Sequence, residues 1–308
     1  MGFGGIGESA RKVMEITTSS GAFLVLGMEG SEELGRMPEF RVRMVGELDM
    51  LGSPKEVDLE ALLGTQATVK MEVDEENPRH FNGYITRMQQ GEQVGRFESF
   101  TATIRPWLWF ATRSVDSRVF QAKNVKDIVT EVLTVYSADF EFRLVSASVY
   151  PKLDYCVQYQ ESDFEFVSRL LEYFGIYYFF EHEEGKHTMV LVDSIAKHKS
   201  KPIKDPVRWA NAMKYSWTIL NWRTGKEARS AKAVVRDYDY LAPTTEIKGE
   251  EVAKASTTKL GKAEVFEFPG DVVQNSAKDA AQPADQAAKQ RAKMLIQELN
   301  SLAATSTG

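Results

Sequence analysis

Apolar and polar residues alternate in short runs over residues 1–115: Lys12 to Thr18, Ala22 to Met28, Glu39 to Glu47, Ala67 to Val73, His80 to Gln89 and Glu98 to Arg105. In Phe40-Arg41-Val42-Arg43-Met44 and in Phe100-Thr101-Ala102-Thr103-Ile104 the period is two, which turns one face of a strand inward and the other outward. Gly27 to Gly30, Gly52-Ser53-Pro54, Asn77-Pro78 and Gly91 to Gly95 supply turn residues between the runs. This pattern predicts a β-barrel or sandwich.

The period then changes. Val125, Ile128, Val129, Val132, Leu133 and Tyr136 form an amphipathic stripe behind Asn124, an N-cap residue, and predict a helix that packs on a sheet. Ser162 and Glu165 have the spacing of a capping box, Phe164, Val167, Leu171 and Phe174 give an apolar face, and Gly175 is placed to end the helix. A helix is therefore expected over Asp163 to Phe174. Ile176 to His182 and His187 to Asp193 read as strands of a hairpin around Glu183-Glu184-Gly185-Lys186.

The last third differs in composition. Lys197 to Lys204 is basic, and Pro202 and Pro206 punctuate a linker. Trp209, Trp217 and Trp222 open a new β-like stretch that runs through Val234 to Tyr240. The segment Pro243 to Lys262 is rich in Lys, Glu, Thr and Gly, so an exposed, mobile loop is expected there. An Ala-rich helix is expected over Ala284 to Leu302, with Ala281, Ala284, Ala288, Ala292, Leu295, Leu299 and Leu302 on one narrow face. The organisation predicted is a first β-barrel module over 1–115, a helix and hairpin segment over 116–204, and a second β module with a C-terminal helix over 205–308. The fold class is α+β, mainly β with α additions.

Composition narrows the function classes. The chain has 308 residues, 43% hydrophobic and 27% charged, enough for more than one buried core. A formal net charge of -6 without a basic stripe argues against a nucleic-acid surface. The apolar run Ile176 to Phe180 is too short to cross a bilayer, and Met1 to Gly7 lacks the features of a signal peptide, so cytoplasmic folding is expected. Cys156 is the sole cysteine, which excludes an internal disulfide and a cysteine-based metal cluster; a small buried hydrophobe is expected.

Candidate chemistry is sparse. His182 and His187 flank the hairpin loop and, with Glu181, suggest a two-histidine, one-carboxylate metal site, although exposed hairpin side chains are the favoured reading of so undemanding a spacing. His80 and His198 have no ligand-spaced partner. Glu183 and Glu184 are adjacent residues at a turn and point apart, which suits solvent better than acid-base work. Ser162 with Asp163 lacks the glycine frame of a nucleophile elbow, and capping accounts for the serine. Gly2, Gly4, Gly5 and Gly7 follow no strand, so a flexible terminus is expected rather than a phosphate loop. Trp107-Leu108-Trp109-Phe110 reads as a buried strand, a sugar-stacking platform or a protein interface. No residue is therefore assigned a catalytic, cofactor-binding or metal-binding role, and no cofactor is expected.

Residues Tyr155 to Asp193 resemble the signature region of VgrG proteins, the tail spikes of type VI secretion: an aromatic, an ESD-type helix start, F-x-x-R-L, a helix-ending glycine and a YYF-type strand. In the same order, His80-Phe81-Asn82-Gly83 is similar to the family's early F-x-G strand and Ile104 to Leu108 to its barrel strand with proline. Arg118-Val119-Phe120-Gln121 is similar to the R-x-F-Q lead-in, and Arg236 to Tyr240 to the RDYDY stretch. Together the pieces span about Phe23 to Pro243. The resemblance implies a non-enzymatic hub like that of contractile phage tails, with two related β-barrels joined by helical segments. It implies a homotrimeric ring that caps or nucleates a hexameric tube of Hcp protein, with effector or adaptor proteins as further partners. It also implies secretion by the type VI machine itself. The family continues into an oligonucleotide-binding-type barrel and a needle, neither of which is recognised in this sequence. A carbohydrate-active or carbohydrate-binding β protein, using Trp107, Trp109 and the acidic turn near Glu183, is the alternative. A plain adhesion module is the third reading.

Overall fold

The structure, a computed structural model, describes residues 14–19, 23–72, 78–145, 150–199, 208–209, 218–219, 222–240, 242–253, 263–272, 283–302 and 304–307. Gly2, Gly4, Gly5, Gly7, Asn77, Pro202, Pro206, Trp217 and Ala281, named above, lie outside them.

Six strands close the first barrel: β1 (Met14–Thr18), β2 (Phe23–Ser31), β3 (Glu39–Gly46), β4 (Gln66–Glu72), β5 (Pro78–Gln90) and β6 (Ser99–Arg105). They pair in the order β1-β2-β3-β6-β5-β4, and β1 returns to β4. The alternating side chains Phe40, Val42 and Met44 face Phe100, Ala102 and Ile104 across an interior that they fill together with Ile16, Val69, Phe81 and Ile85. A one-turn helix, α1 (Leu59–Leu62), adds Leu62 to that core; Asp58 caps it.

The predicted turn at Gly27 to Gly30 is instead the middle of β2, where a bulge falls between Val25 and Gly27. Glycine is required there by proximity rather than by a turn: a Cβ on Gly30 would sit 2.5 Å from the Phe40 ring.

The Trp107 to Phe110 stretch is a 3-10 turn, Trp107–Thr112, and not a strand. It leads into β7 (Val115–Lys123), α2 (Val125–Leu133), β8 (Phe140–Arg143), β9 (Leu153–Ser162), α3 (Asp163–Tyr173), β10 (Tyr177–Glu183) and β11 (Lys186–Val192). Asn124 caps α2 and the Ser162–Glu165 capping box opens α3, both as the sequence predicts. Gly175 takes a left-handed φ of 67° after α3. Phe166 and Leu170, absent from the predicted apolar face of α3, are buried, while Phe164 is only partly so. β7 and β9 make a two-stranded ribbon, and β8 pairs in parallel with β11. Cys156 is buried in this layer.

Next come two short pairs, β12 (Arg208–Trp209) with β13 (Thr218–Ile219) and β14 (Arg223–Lys226) with β18 (Ala304–Thr307). Between the members of the second pair lie β15 (Lys232–Asp237), β16 (Ile247–Val252), β17 (Glu264–Glu267) and α4 (Ala284–Leu302). β15 is the centre of a three-stranded sheet in the order β16-β15-β17, on which α4 packs through Ala288, Ala292 and Ile296. The loop expected from Pro243 to Lys262 therefore contains a strand, because Ile247 and Gly249 turn inward toward α4 between charged, outward neighbours. Residues 254–262 of that loop lie outside the described ones.

Tyr173 ties the helical layer to this last sheet: its hydroxyl lies 2.9 Å from the Gly270 carbonyl, and Arg291 donates to the Tyr173 carbonyl at 3.1 Å while gripping Glu267 with two bonds.

Candidate functional site

The residues of the recognised motifs converge on two buried polar joints. At the first, the hairpin β10–β11 meets the barrel strands β4 and β5. His182 and His187 are cross-strand partners, as the loop spacing implies. They are not exposed, which corrects the favoured reading: the His182 side chain is 6% exposed and His187 is 2% exposed. The cause lies outside the hairpin, since Phe40, Phe81 and Tyr84 of the barrel pack their rings against the two imidazoles.

Asn82 organises this joint. Its amide nitrogen donates to Thr68 Oγ1 at 2.7 Å and lies 3.4 Å from the Ala67 carbonyl, which fixes the amide's orientation. Asn82 Oδ1 therefore accepts from His187 Nδ1 at 2.6 Å. The other ring nitrogen, Nε2, accepts the Trp107 backbone N–H at 2.9 Å, so His187 is the neutral Nδ1–H tautomer. The Asn82 N–H donates to His182 Nδ1 at 3.2 Å, and His182 Nε2 faces Glu32 Oε1 at 3.6 Å. At the hairpin turn Gly185 N–H donates to Thr68 Oγ1 at 3.3 Å.

Burial holds His182 down at about 4, with its contact to the Asn82 backbone opposing the shift and Arg79 adding to it. Burial likewise holds His187 at about 3, deepened by His182 and opposed by Asp139. Both native values lie below the ordinary ~6.5 of an unfolded chain. As pH falls below about 6.5, the unfolded state takes up protons that the native state refuses, and stability drops by up to about 1.4 kcal/mol per pH unit for each ring. The loss is complete only at the native values. Urea midpoints measured from pH 7 to pH 4 are expected to fall steadily, and a flat profile would contradict the neutral burial of both rings.

The second joint is built around Asp163 of the ESD start. Its Oδ1 accepts from Arg118 and, at 2.7 Å, from Gln158, while Oδ2 accepts the Tyr136 hydroxyl at 2.6 Å. Arg118 also donates to Gln158 Oε1 at 2.9 Å. Arg118 thus links β7 to the start of α3, and two register steps away Phe120 stacks on Phe166 with ring centroids 5.4 Å apart. Asp163 is more than a helix-start residue, which its spacing did not reveal.

The remaining candidates separate. Glu183 and Glu184 sit at the exposed hairpin turn. His198 stacks on Phe179 and bonds the Tyr177 hydroxyl at 2.9 Å. Trp107 is buried, so the sugar platform loses one of its two tryptophans, and Trp109 is covered by Arg113 at 4.6 Å. Glu181, the third proposed metal ligand, is instead held by both terminal nitrogens of Arg143 at 2.7 Å each. Among the described residues no group of three His, Cys, Asp or Glu side chains is placed to hold a metal. What both joints do chemically is align elements distant in sequence.

The family model of the phage tail baseplate hub matches residues 31–308. The chain belongs to the phage tail baseplate hub family. This hub chain is similar to type VI secretion spike proteins of Pseudomonas aeruginosa: 35% identical to VgrG1b over 80% of its length and 33% identical to VgrG1a over 82%. It spans 33% and 38% of those two relatives, about a third of their length. Among solved structures it resembles a prophage MuSo2 tail protein of Shewanella oneidensis, with a TM-score of 0.61 and 12% identity over 95% of this chain and 80% of that one. It also resembles the E. coli c3393 protein, a type VI secretion component, with a TM-score of 0.57 and 21% identity over 70% of this chain and 56% of that one. The VgrG resemblance read from Tyr155 to Asp193 thus extends over most of the hub chain, and the phage-tail fold with it.

Proposed function

We propose that the chain is the structural hub of a type VI secretion tail spike, in which three copies close a ring that seats on a hexameric Hcp tube and nucleates or caps it. The observation that carries this reading is the hub-family match over residues 31–308. Two buried polar joints favour it, because a part that transmits the thrust of a contracting sheath needs its modules held rigidly together. Segments 1–115, 116–204 and 205–308 serve as first β module, brace and second β module. Two β modules per copy give six around the axis, matching the six-fold tube. The chain performs no catalysis and uses no cofactor or metal; His182, His187 and Asp163 act in its architecture. Assembly takes place in the cytoplasm, and export is by the machine the hub belongs to. Effector or adaptor proteins are further partners of such a spike.

The outer face of the β7–β9 ribbon suits contact with a second copy. Val119, Tyr155, Val157 and Tyr159 are 45 to 70% exposed there. The rungs Ser117–Tyr159, Val119–Val157 and Gln121–Tyr155 carry no charge, which spares copies of net charge -6 local repulsion. Sedimentation of the chain at increasing concentration is expected to show a monomer giving way to a trimer, and co-sedimentation with Hcp rings should follow. Tyr155→Asp with Tyr159→Asp is expected to weaken self-association at least tenfold with the melting temperature unchanged. Absence of both self-association and Hcp binding in the parent chain would refute the hub reading.

A further inference from the structure

We propose that His187 is an acid-operated latch: a proton taken up on its Nε2 releases the β10–β11 hairpin from the first barrel while the barrel stays closed. The hydrogen bonds themselves require this direction. Nε2 accepts from the Trp107 N–H at 2.9 Å, and the opposite nitrogen already donates to Asn82 Oδ1 at 2.6 Å. A second proton has nowhere to go except between Nε2 and a backbone N–H, which sets donor against donor.

The surroundings provide little to hold the cation. Facing the pair of rings are Glu32 beyond β2, Arg79 and Tyr84 on β5, Asp139 ahead of β8, and His182 on β10, whose ring centroid is 6.1 Å from that of His187. Glu32 is engaged by Arg79, and Asp139 by Lys186 at 2.8 Å on the same hairpin. Thr68 of β4, Phe40 of β3 and Trp107 contribute no charge. His182 differs from His187, since its Nδ1 also lies 3.1 Å from the Asn82 carbonyl, an acceptor for an added proton. His187 is therefore the ring whose protonation opens the joint.

Local release follows from where the bonds are. The hydrogen bonds that break on release are Trp107 N–H to His187, His187 to Asn82, Asn82 N–H to His182, Gly35 N–H to the Tyr178 carbonyl and Gly185 N–H to Thr68, all between hairpin and barrel flank. The six-strand ladder that closes the barrel uses none of them.

Amide hydrogen exchange between pH 7 and pH 4, expressed as protection relative to unstructured peptide, tests this in the whole chain. Protection at Trp107 and Gly185 is expected to fall by more than about tenfold per pH unit below about pH 6, because release of the hairpin frees His182 together with His187 and links up to two protons, while Val42 and Ile104 stay protected. His187→Gln keeps one donor and one acceptor and cannot titrate, so it should cut the slope to the single linked proton of His182, about tenfold per pH unit or less. If that variant does not fold, imidazole titration of the parent by NMR replaces it, and His187 should titrate together with release of the two amides. Loss of protection at Val42 and Ile104 in step with Trp107, pH-independent protection at Trp107, or an unchanged slope in the glutamine variant would each overturn the latch.

Discussion

Asp163→Ala is expected to destabilise the helical layer by about 3 kcal/mol in urea denaturation, because it leaves Arg118 with only the exposed Asp116 carboxylate, 3.3 Å from its Nε, and strips Tyr136 and Gln158 of an acceptor. Asp163 is 4% exposed and Arg118 is about a quarter exposed, so part of the Arg118 charge returns to water and the cost stays at the lower end of the range for broken buried pairs. Ser162→Ala, one residue earlier, is expected to cost only about 1 kcal/mol, the worth of a capping side chain. The contrast between the two variants decides the matter, since a helix-start role alone would make their losses similar. Asp163→Asn separates charge from shape: it retains one acceptor oxygen, so an intermediate loss is expected. A loss below about 1 kcal/mol for the alanine variant would show that Arg118 and Tyr136 repartner freely and that the joint is not a brace.

The barrel strands were legible because alternation is a local property: Phe40, Val42 and Met44 point inward by spacing alone, and the structure places them in the core. Capping was legible for the same reason at Asn124 and at Ser162 with Glu165. The features that were not legible depend on partners far along the chain. Burial of His182 and His187 comes from Asn82, Phe40 and Phe81, which lie far earlier in the chain, and nothing in a hairpin's own sequence reports that a barrel will pack on it. Gly27 to Gly30 reads as a turn in sequence because glycine is ambiguous between a turn and a close approach, and the Phe40 ring that decides the case lies on the neighbouring strand. Phe140–Arg143 is four residues long and pairs in parallel with Met189 to Val192, so its strand character has no nearby hairpin partner to announce it. Asp163 lay in plain view within the ESD motif. Its charge partner was also in view, in the R-x-F-Q lead-in, but only the β7–β9 register brings Arg118 beside Gln158 and thereby to Asp163.

Gly249→Val is expected to separate α4 from the sheet β16-β15-β17 and to cost about 3 kcal/mol or more, the upper range for overpacking. A Cβ at Gly249 would lie 2.1 Å from the Ala288 carbonyl carbon and 2.2 Å from the Lys289 nitrogen, both of them helix backbone, which has no rotamer by which to escape. The same closeness explains the alanines: Ala288 and Ala292 are fully buried, and larger side chains there would hold the helix away from the strand. Ile296, outside the stripe predicted from Ala284 to Leu302, completes the buried face, while Leu295 and Leu299 pack at its margin only partly buried. Leu295→Asp with Leu299→Asp should therefore cost less than Ile296→Asp alone, the reverse of what the predicted stripe implies, because carboxylates at the margin remain within reach of water. Lys248→Val, one residue from Gly249 with its side chain outward, is the control and should change stability by less than about 0.5 kcal/mol. Denaturation monitored by far-UV circular dichroism distinguishes the cases: equal losses at Lys248 and Gly249 would place the cost in the strand itself, whereas a loss confined to Gly249 and Ile296 places it in the seam where helix backbone meets sheet.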